Sequence, residues 1–173
     1  MIITVFHGST MLFDTIDIKK GKPYKDFGRG FYVTRNLHHA KNLALRNQRG
    51  ELIRGLKSVA YLYTFELDID LLEKNCKIKH FQTADFKWLD FVLENRKSRD
   101  KVHNYDVVIG PTANDNTSVV LSVYFEGLYG EIGSQIAKET AIRQLETDNL
   151  PPQMYFGTDK SAKYLILKHK VNI

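Results

Sequence analysis

The sequence predicts an α+β domain in which short strands are interrupted by helices. Three observations carry that prediction. SVAYLYTFELDID places Val59, Tyr61, Tyr63, Phe65 and Leu67 on one face at period two, as a half-buried strand does. TADFKWLDFVLENR spaces Phe86, Leu89, Val92 and Leu93 as the inner face of a helix, with Thr83 as its cap. Segments of both kinds follow one another along 173 residues with no internal repeat, low-complexity tract or linker, so residues 1–173 read as one domain.

The elements follow in order. IITVF is β-branched and aromatic, an N-terminal strand. Residues 10–18 alternate weakly, as a short strand or a helical turn. KKGKPYKDFGRG gathers glycine, proline and lysine, which is loop chemistry. Phe31 to Thr34 is strand-like, and Asn36 caps a helix carrying Leu37, Ala40, Leu43 and Ala44 that ends near Arg49-Gly50. After the strand around Tyr63, residues 70–82 fit either type. DVVIGP is a short apolar strand stopped by Gly110-Pro111, and Asn114, Asp115 and Asn116 make a polar turn. TSVVLSVYFEGLYG and EIGSQIAKETAIRQL read as two helices. LPPQMYFGT is a proline-entered strand, Thr158 caps one further turn, and YLILKHKVNI closes as a strand.

Composition narrows the function classes. Hydrophobic residues make up 43% and charged residues 26%, which excludes a disordered chain. No apolar run approaches the ~18–20 residues of a membrane span. MIITVFHGST lacks a basic leader region, so no signal peptide is expected. The single Cys76 precludes an internal disulfide, reads as a small buried hydrophobe and fits a reducing cytoplasm. A net charge of +5 suits an anionic ligand such as a dinucleotide or RNA without requiring one. Lys19, Lys20, Lys22 and Lys25 form a small basic cluster, either a solvated loop or a contact for an anionic partner.

Several chemistries find no support. His38 and His39 are adjacent, so on a helix they diverge by about 100° and do not clasp one ion. Neither HExxH nor a zinc quartet is present, and no metal is expected. Ser9 lacks the GxSxG elbow, and His7 stands two residues before it on the same strand. GRG is not a phosphate loop, because Val33 occupies the place of the third glycine in GxGxxG.

What remains is FHGST, DFGRGFYVT and PQMYF. Each has an ordinary reading: a turn, a bend beside a core aromatic, and a surface amide at a strand start. Their order resembles the ADP-ribosyltransferase superfamily, in its poly(ADP-ribose) polymerase and diphtheria-toxin branch. Members carry a His-Gly on a first strand, a GxGxY segment ending in Ser or Thr, and a late glutamate at a strand start. The matching positions are His7-Gly8-Ser9, Gly28-Arg29-Gly30-Phe31-Tyr32-Val33-Thr34, and Gln153-Met154-Tyr155-Phe156. More narrowly, the chain is similar over nearly its whole length to the small bacterial proteins grouped as DUF3990. DFGRGFYVT, WLDFVLENR, YDVVIGPTANDN and PPQMYFGTDKSAKYL carry that likeness.

The resemblance implies a split, bent antiparallel sheet with NAD+ as co-substrate in its cleft. It implies that His7 bonds a ribose hydroxyl, that Gly8 offers its backbone to the carboxamide, and that Tyr32 stacks on the nicotinamide. Ser9 would steady the nicotinamide ribose, and Arg29, between Gly28 and Gly30, would meet a phosphate or ribose. Thr34 closes that cofactor-binding segment. Gln153 stands where the family has glutamate; it can bond a hydroxyl but carries no charge and cannot serve as a general base. That departure points to transfer of a single ADP-ribose, with Asp115 the first candidate for a substitute carboxylate and Glu131 and Glu126 behind it.

The implied activity is mono-ADP-ribosylation of a macromolecule, protein or nucleic acid, by a cytoplasmic toxin or a toxin with a small antitoxin partner. No membrane is involved. The other reading is a non-catalytic module that binds NAD+, ADP-ribose or a partner protein. An RNA 2′-phosphotransferase of the same superfamily ranks third, for want of its basic His/Arg pattern.

Overall fold

The computed structural model describes residues 1–113, 117–146 and 151–173. Strand β1 (Ile2–Ser9) leads through a long loop with one 3-10 turn (Ile18–Lys20) to β2 (Phe31–Thr34) and helix α1 (Leu37–Ile53). Next come β3 (Tyr61–Asp68), α2 (Ile69–Asn75), β4 (Ile78–His80), α3 (Phe86–Lys97) and β5 (Val107–Gly110). Helices α4 (Thr117–Phe125) and α5 (Gln135–Gln144) precede β6 (Gln153–Phe156), the short α6 (Asp159–Ala162) and β7 (Leu165–Asn172). This is the α+β class that the alternating patterns predict.

The described strands form a seven-stranded sheet in the order β4-β5-β6-β2-β1-β3-β7. Every pairing is antiparallel except β4 with β5. The ladder is very uneven. β1 and β3 register along the whole of β1, from Ile2 opposite Asp68 to Ser9 opposite Tyr61. β1 and β2 share one registered pair, Phe6 opposite Thr34. The sheet is therefore continuous but nearly parted between β1 and β2.

Strand alternation sends side chains to two cores. Val5, Val33, Tyr63, Phe65, Leu67, Val107, Met154 and Phe156 fill one face beneath Leu72 of α2. Tyr155 and Val108 face the other way, packing with Trp88, Leu89 and Val92 of α3 and with Leu121 and Ala137 of α4 and α5. Helix α1 also lies on that second face, because Gly8 projects there and meets Ala40 and Ala44.

Local chemistry explains where the expected boundaries move. Asn36 caps α1 by accepting from the His39 amide, but the helix runs on through Gly50, whose place is open to solvent. Asp85, not Thr83, caps α3 by accepting from the Trp88 amide. That start turns Trp88 inward and leaves Phe86 37% exposed. Val59 is also exposed, because β3 begins at Tyr61. Residues 10–17 are loop, and the ambiguous 70–82 stretch holds all of α2 but its first residue, followed by β4. Thr158 caps α6 as expected. Cys76 is only partly buried. No helix among the described residues is long and apolar enough to cross a membrane.

Candidate functional site

The β1–β3 register places Ile3, Val5 and His7 on the face that carries Tyr63, Phe65 and Leu67. His7 there enters an aromatic box. Its ring stacks on Phe31 at 4.2 Å between centroids and meets Phe13 edge-on at 5.9 Å. Phe13 in turn stacks on Tyr63 at 4.0 Å. The Tyr63 hydroxyl accepts from the Phe13 amide (3.0 Å) and donates to the Met11 carbonyl (2.8 Å), strapping the loop over the box.

His7 Nδ1 lies 2.7 Å from the Tyr32 carbonyl oxygen. A carbonyl only accepts, so Nδ1 carries the proton and Nε2 keeps its lone pair. Burial pulls the imidazole down to about 4, which the carbonyl opposes only in part, so the ring is neutral at pH 7. The bond has a topological consequence. Continuing the Phe6–Thr34 register would set Gly8 opposite Tyr32, yet that pair does not form. The His7 side chain meets the Tyr32 carbonyl instead, leaving Gly8 and Ser9 without a strand partner on the β2 side.

Tyr32 itself points to the other face. Its ring tilts against Tyr155 at 5.3 Å. Its hydroxyl donates to the Gly28 carbonyl (2.6 Å) and accepts from the Phe27 amide (3.2 Å). Burial raises it well above the ordinary phenol range, so it stays protonated. His7 and Tyr32 thus meet through the Tyr32 backbone, and their rings leave opposite faces of the β1–β2 pair. Two facing rings across one pocket are not what the alternation produces.

Gln153 opens β6 opposite Thr34 of β2 and Gly110 of β5, so the three motifs occupy the adjacent strands β1, β2 and β6. A family model described as "Protein of unknown function (DUF3990)" matches residues 3–167. The chain belongs to the DUF3990 family. Neither the curated proteins nor the solved structures contain a match to it.

In this DUF3990 chain the glycines of the motifs have packing reasons. A Cβ at Gly8 would overlap the Ala40 carbonyl of α1. Gly28 has a φ of +94°, a conformation that glycine adopts without strain, and a Cβ there would lie 2.8 Å from Asn95 Oδ1. Gly30 sits against the Tyr155 ring. Arg29 donates through Nε to the Gly21 carbonyl (2.9 Å) and through Nη2 to the Lys19 carbonyl, so it clamps the basic loop. Ser9 Oγ accepts from the Met11 amide, and Thr34 Oγ1 donates to the Pro152 carbonyl while accepting from the Asn36 amide.

The carboxylate beside Gln153 is one the sequence did not single out. Asp26, 6% exposed, accepts from Gln153 Nε2 at 2.9 Å through Oδ2. Its Oδ1 accepts from Arg96 Nε (2.8 Å) and Nη2 (2.5 Å). Asp26 and Arg96 lie 70 residues apart, so no local pattern could pair them. The available signals were a glutamine where the resemblance puts a glutamate, and the position of Asp26 and Arg96 at the ends of DFGRGFYVT and WLDFVLENR. Asp115 lies outside the described residues, and Glu126 and Glu131 are exposed beyond α4.

Proposed function

We propose that this chain is an NAD+-dependent mono-ADP-ribosyltransferase acting on a macromolecular acceptor, protein or nucleic acid, as a toxin or the toxin of a toxin–antitoxin pair. The observation that carries the reading is the interrupted β1–β2 ladder. It leaves the backbone edge of β1 at Gly8 free of β2, beside a neutral imidazole whose Nε2 can accept a hydroxyl proton. A carboxamide can pair with such an edge as a strand does, and a ribose hydroxyl suits the Nε2 lone pair.

Transfer would proceed by cleavage of the bond between ribose C1 and the nicotinamide nitrogen. The bonding electrons leave with nicotinamide, which departs neutral, and the ribosyl centre takes up positive charge in an oxocarbenium-like transition state. An acceptor oxygen or nitrogen bonds to C1 and releases its proton to solvent. Gln153, whose side chain leaves the sheet on the Tyr32 face and not on the His7 face, would hold the ribose 2′-hydroxyl through Oε1 from that side. Arg29 is committed to backbone carbonyls, so a phosphate role would require it to leave them.

The test is incubation with NAD+ labelled in its adenylate part, alone and with cell lysate, following nicotinamide release and label transfer. The expected result is transfer that His7→Ala abolishes. No release and no transfer with either protein would overturn an enzyme. The uncharged Gln153 favours a second reading, a binding module without turnover. Calorimetry showing NAD+ bound tightly and recovered intact after hours would select it.

A further inference from the structure

We infer that Asp26 and Arg96 are a positioning pair that orients the Gln153 amide and presents its Oε1 as a hydroxyl acceptor. The inference rests on the cleft reading above and adds Asp26, which opens the DFGRGFYVT segment, and Arg96, which closes WLDFVLENR. Gln153 Nε2 donates to Asp26 Oδ2 (2.9 Å) and faces the Pro111 carbonyl (3.4 Å). Neither acceptor has a proton to give. A flipped amide would set Oε1 against a carboxylate and a carbonyl, so the orientation is decided electrostatically. Arg96 takes Asp26 Oδ1, which leaves Oδ2 for Gln153.

The pair also accounts for glutamine at 153. A glutamate there would bring a second carboxylate within hydrogen-bonding distance of buried Asp26, and like charges that close do not both ionise. The site keeps one negative charge but sets it behind the amide, where it polarises Oε1 through the hydrogen bond. A buried ion pair contributes little net stability, because desolvation offsets the attraction. Its contribution here is orientation.

The experiment compares wild type, Asp26→Asn and the exchange Asp26→Asn/Gln153→Glu. In the exchange, the amide introduced at 26 still accepts from Arg96 and donates to the carboxylate at 153, so those hydrogen bonds and the net charge are kept and only the long contact with the Pro111 carbonyl is given up. Nicotinamide release from NAD+ should fall roughly 10–100-fold in Asp26→Asn, mainly in kcat, and return to within a few-fold of wild type in the exchange. Equal rates for wild type and Asp26→Asn would overturn the pair.

Nitrogen-15 NMR of the Gln153 side-chain amide reads orientation without turnover. Slow proton exchange in wild type, accelerated in Asp26→Asn, supports the pair; solvent-like exchange in wild type overturns it. A wild type that releases no nicotinamide refutes the activity while the NMR still decides the positioning. Should Asp26→Asn fail to fold, the wild-type exchange rate alone decides it.

Discussion

His7 Nδ1 sits 2.7 Å from the Tyr32 carbonyl oxygen at the place where β1 and β2 stop pairing. One side chain thereby takes the place of a backbone pair, and the two halves of the sheet are joined at that level by an imidazole. The ring is held neutral, because its burial against Phe13, Phe31 and Tyr63 pulls the imidazole below its usual range.

Stability should therefore depend on pH through His7. The folded value is depressed to about 4 from 6.5, so between those values the unfolded chain binds more protons. The contribution is fully present above pH 6.5 and is lost as pH falls towards 4. It amounts to on the order of 3 kcal/mol. Urea melts from pH 4 to 7 should show a steeper loss in wild type than in His7→Gln; parallel curves would contradict it.

Gly8→Ala should destabilise the fold by roughly 3 kcal/mol, because the new methyl overlaps the Ala40 carbonyl and α1 must move off the sheet. Gly50→Ala is the matched control. It meets nothing within 4 Å and lies inside α1, so it should raise stability by ~0.5–1 kcal/mol. Thermal melts followed by circular dichroism separate the two.

Tyr32→Phe removes the hydroxyl that joins Phe27 to Gly28. The cost expected is about 1–3 kcal/mol, from a part-buried amide and carbonyl left without that partner. Hydrogen exchange at the Phe27 amide should accelerate, with β1 and β3 amides little changed. Uniform acceleration would mean the loop is not a separate unit.

Trp88 is the single tryptophan, is fully buried, and donates from Nε1 to the Pro111 carbonyl at 3.3 Å. Gln153 Nε2 faces the same oxygen. Emission should be blue-shifted in the folded protein and red-shifted on unfolding. Trp88→Ala should cost ~3–5 kcal/mol. Chemical denaturation followed by far-ultraviolet circular dichroism gives the stability of wild type and Trp88→Ala, and the wild-type curve is checked against its fluorescence.

The legible parts of the fold were those where one local pattern settles one element. Tyr63, Phe65 and Leu67 alternate and are buried; Leu89, Val92 and Leu93 follow the helical period and are buried. Asn36 and Thr158 cap the helices they precede. Thr83 misled because Asp85 offers the same capping oxygen two residues later. The long loop after β1 takes its shape from the Tyr63 hydroxyl and the Arg29 guanidinium, both distant in sequence or turned back on it.

By itself the sequence determined the α+β class, the family, and the three strands on which the motifs lie, because strand and helix periods and short motifs are local properties. Only the tertiary structure decided what the motif residues touch. Strand alternation and the break after Phe6 send the His7 and Tyr32 rings to opposite faces. Packing of α1 requires glycine at position 8, and the fold brings Asp26 and Arg96 to Gln153. Those contacts join residues tens of positions apart, and their geometry exists only once the sheet and helices have closed on one another.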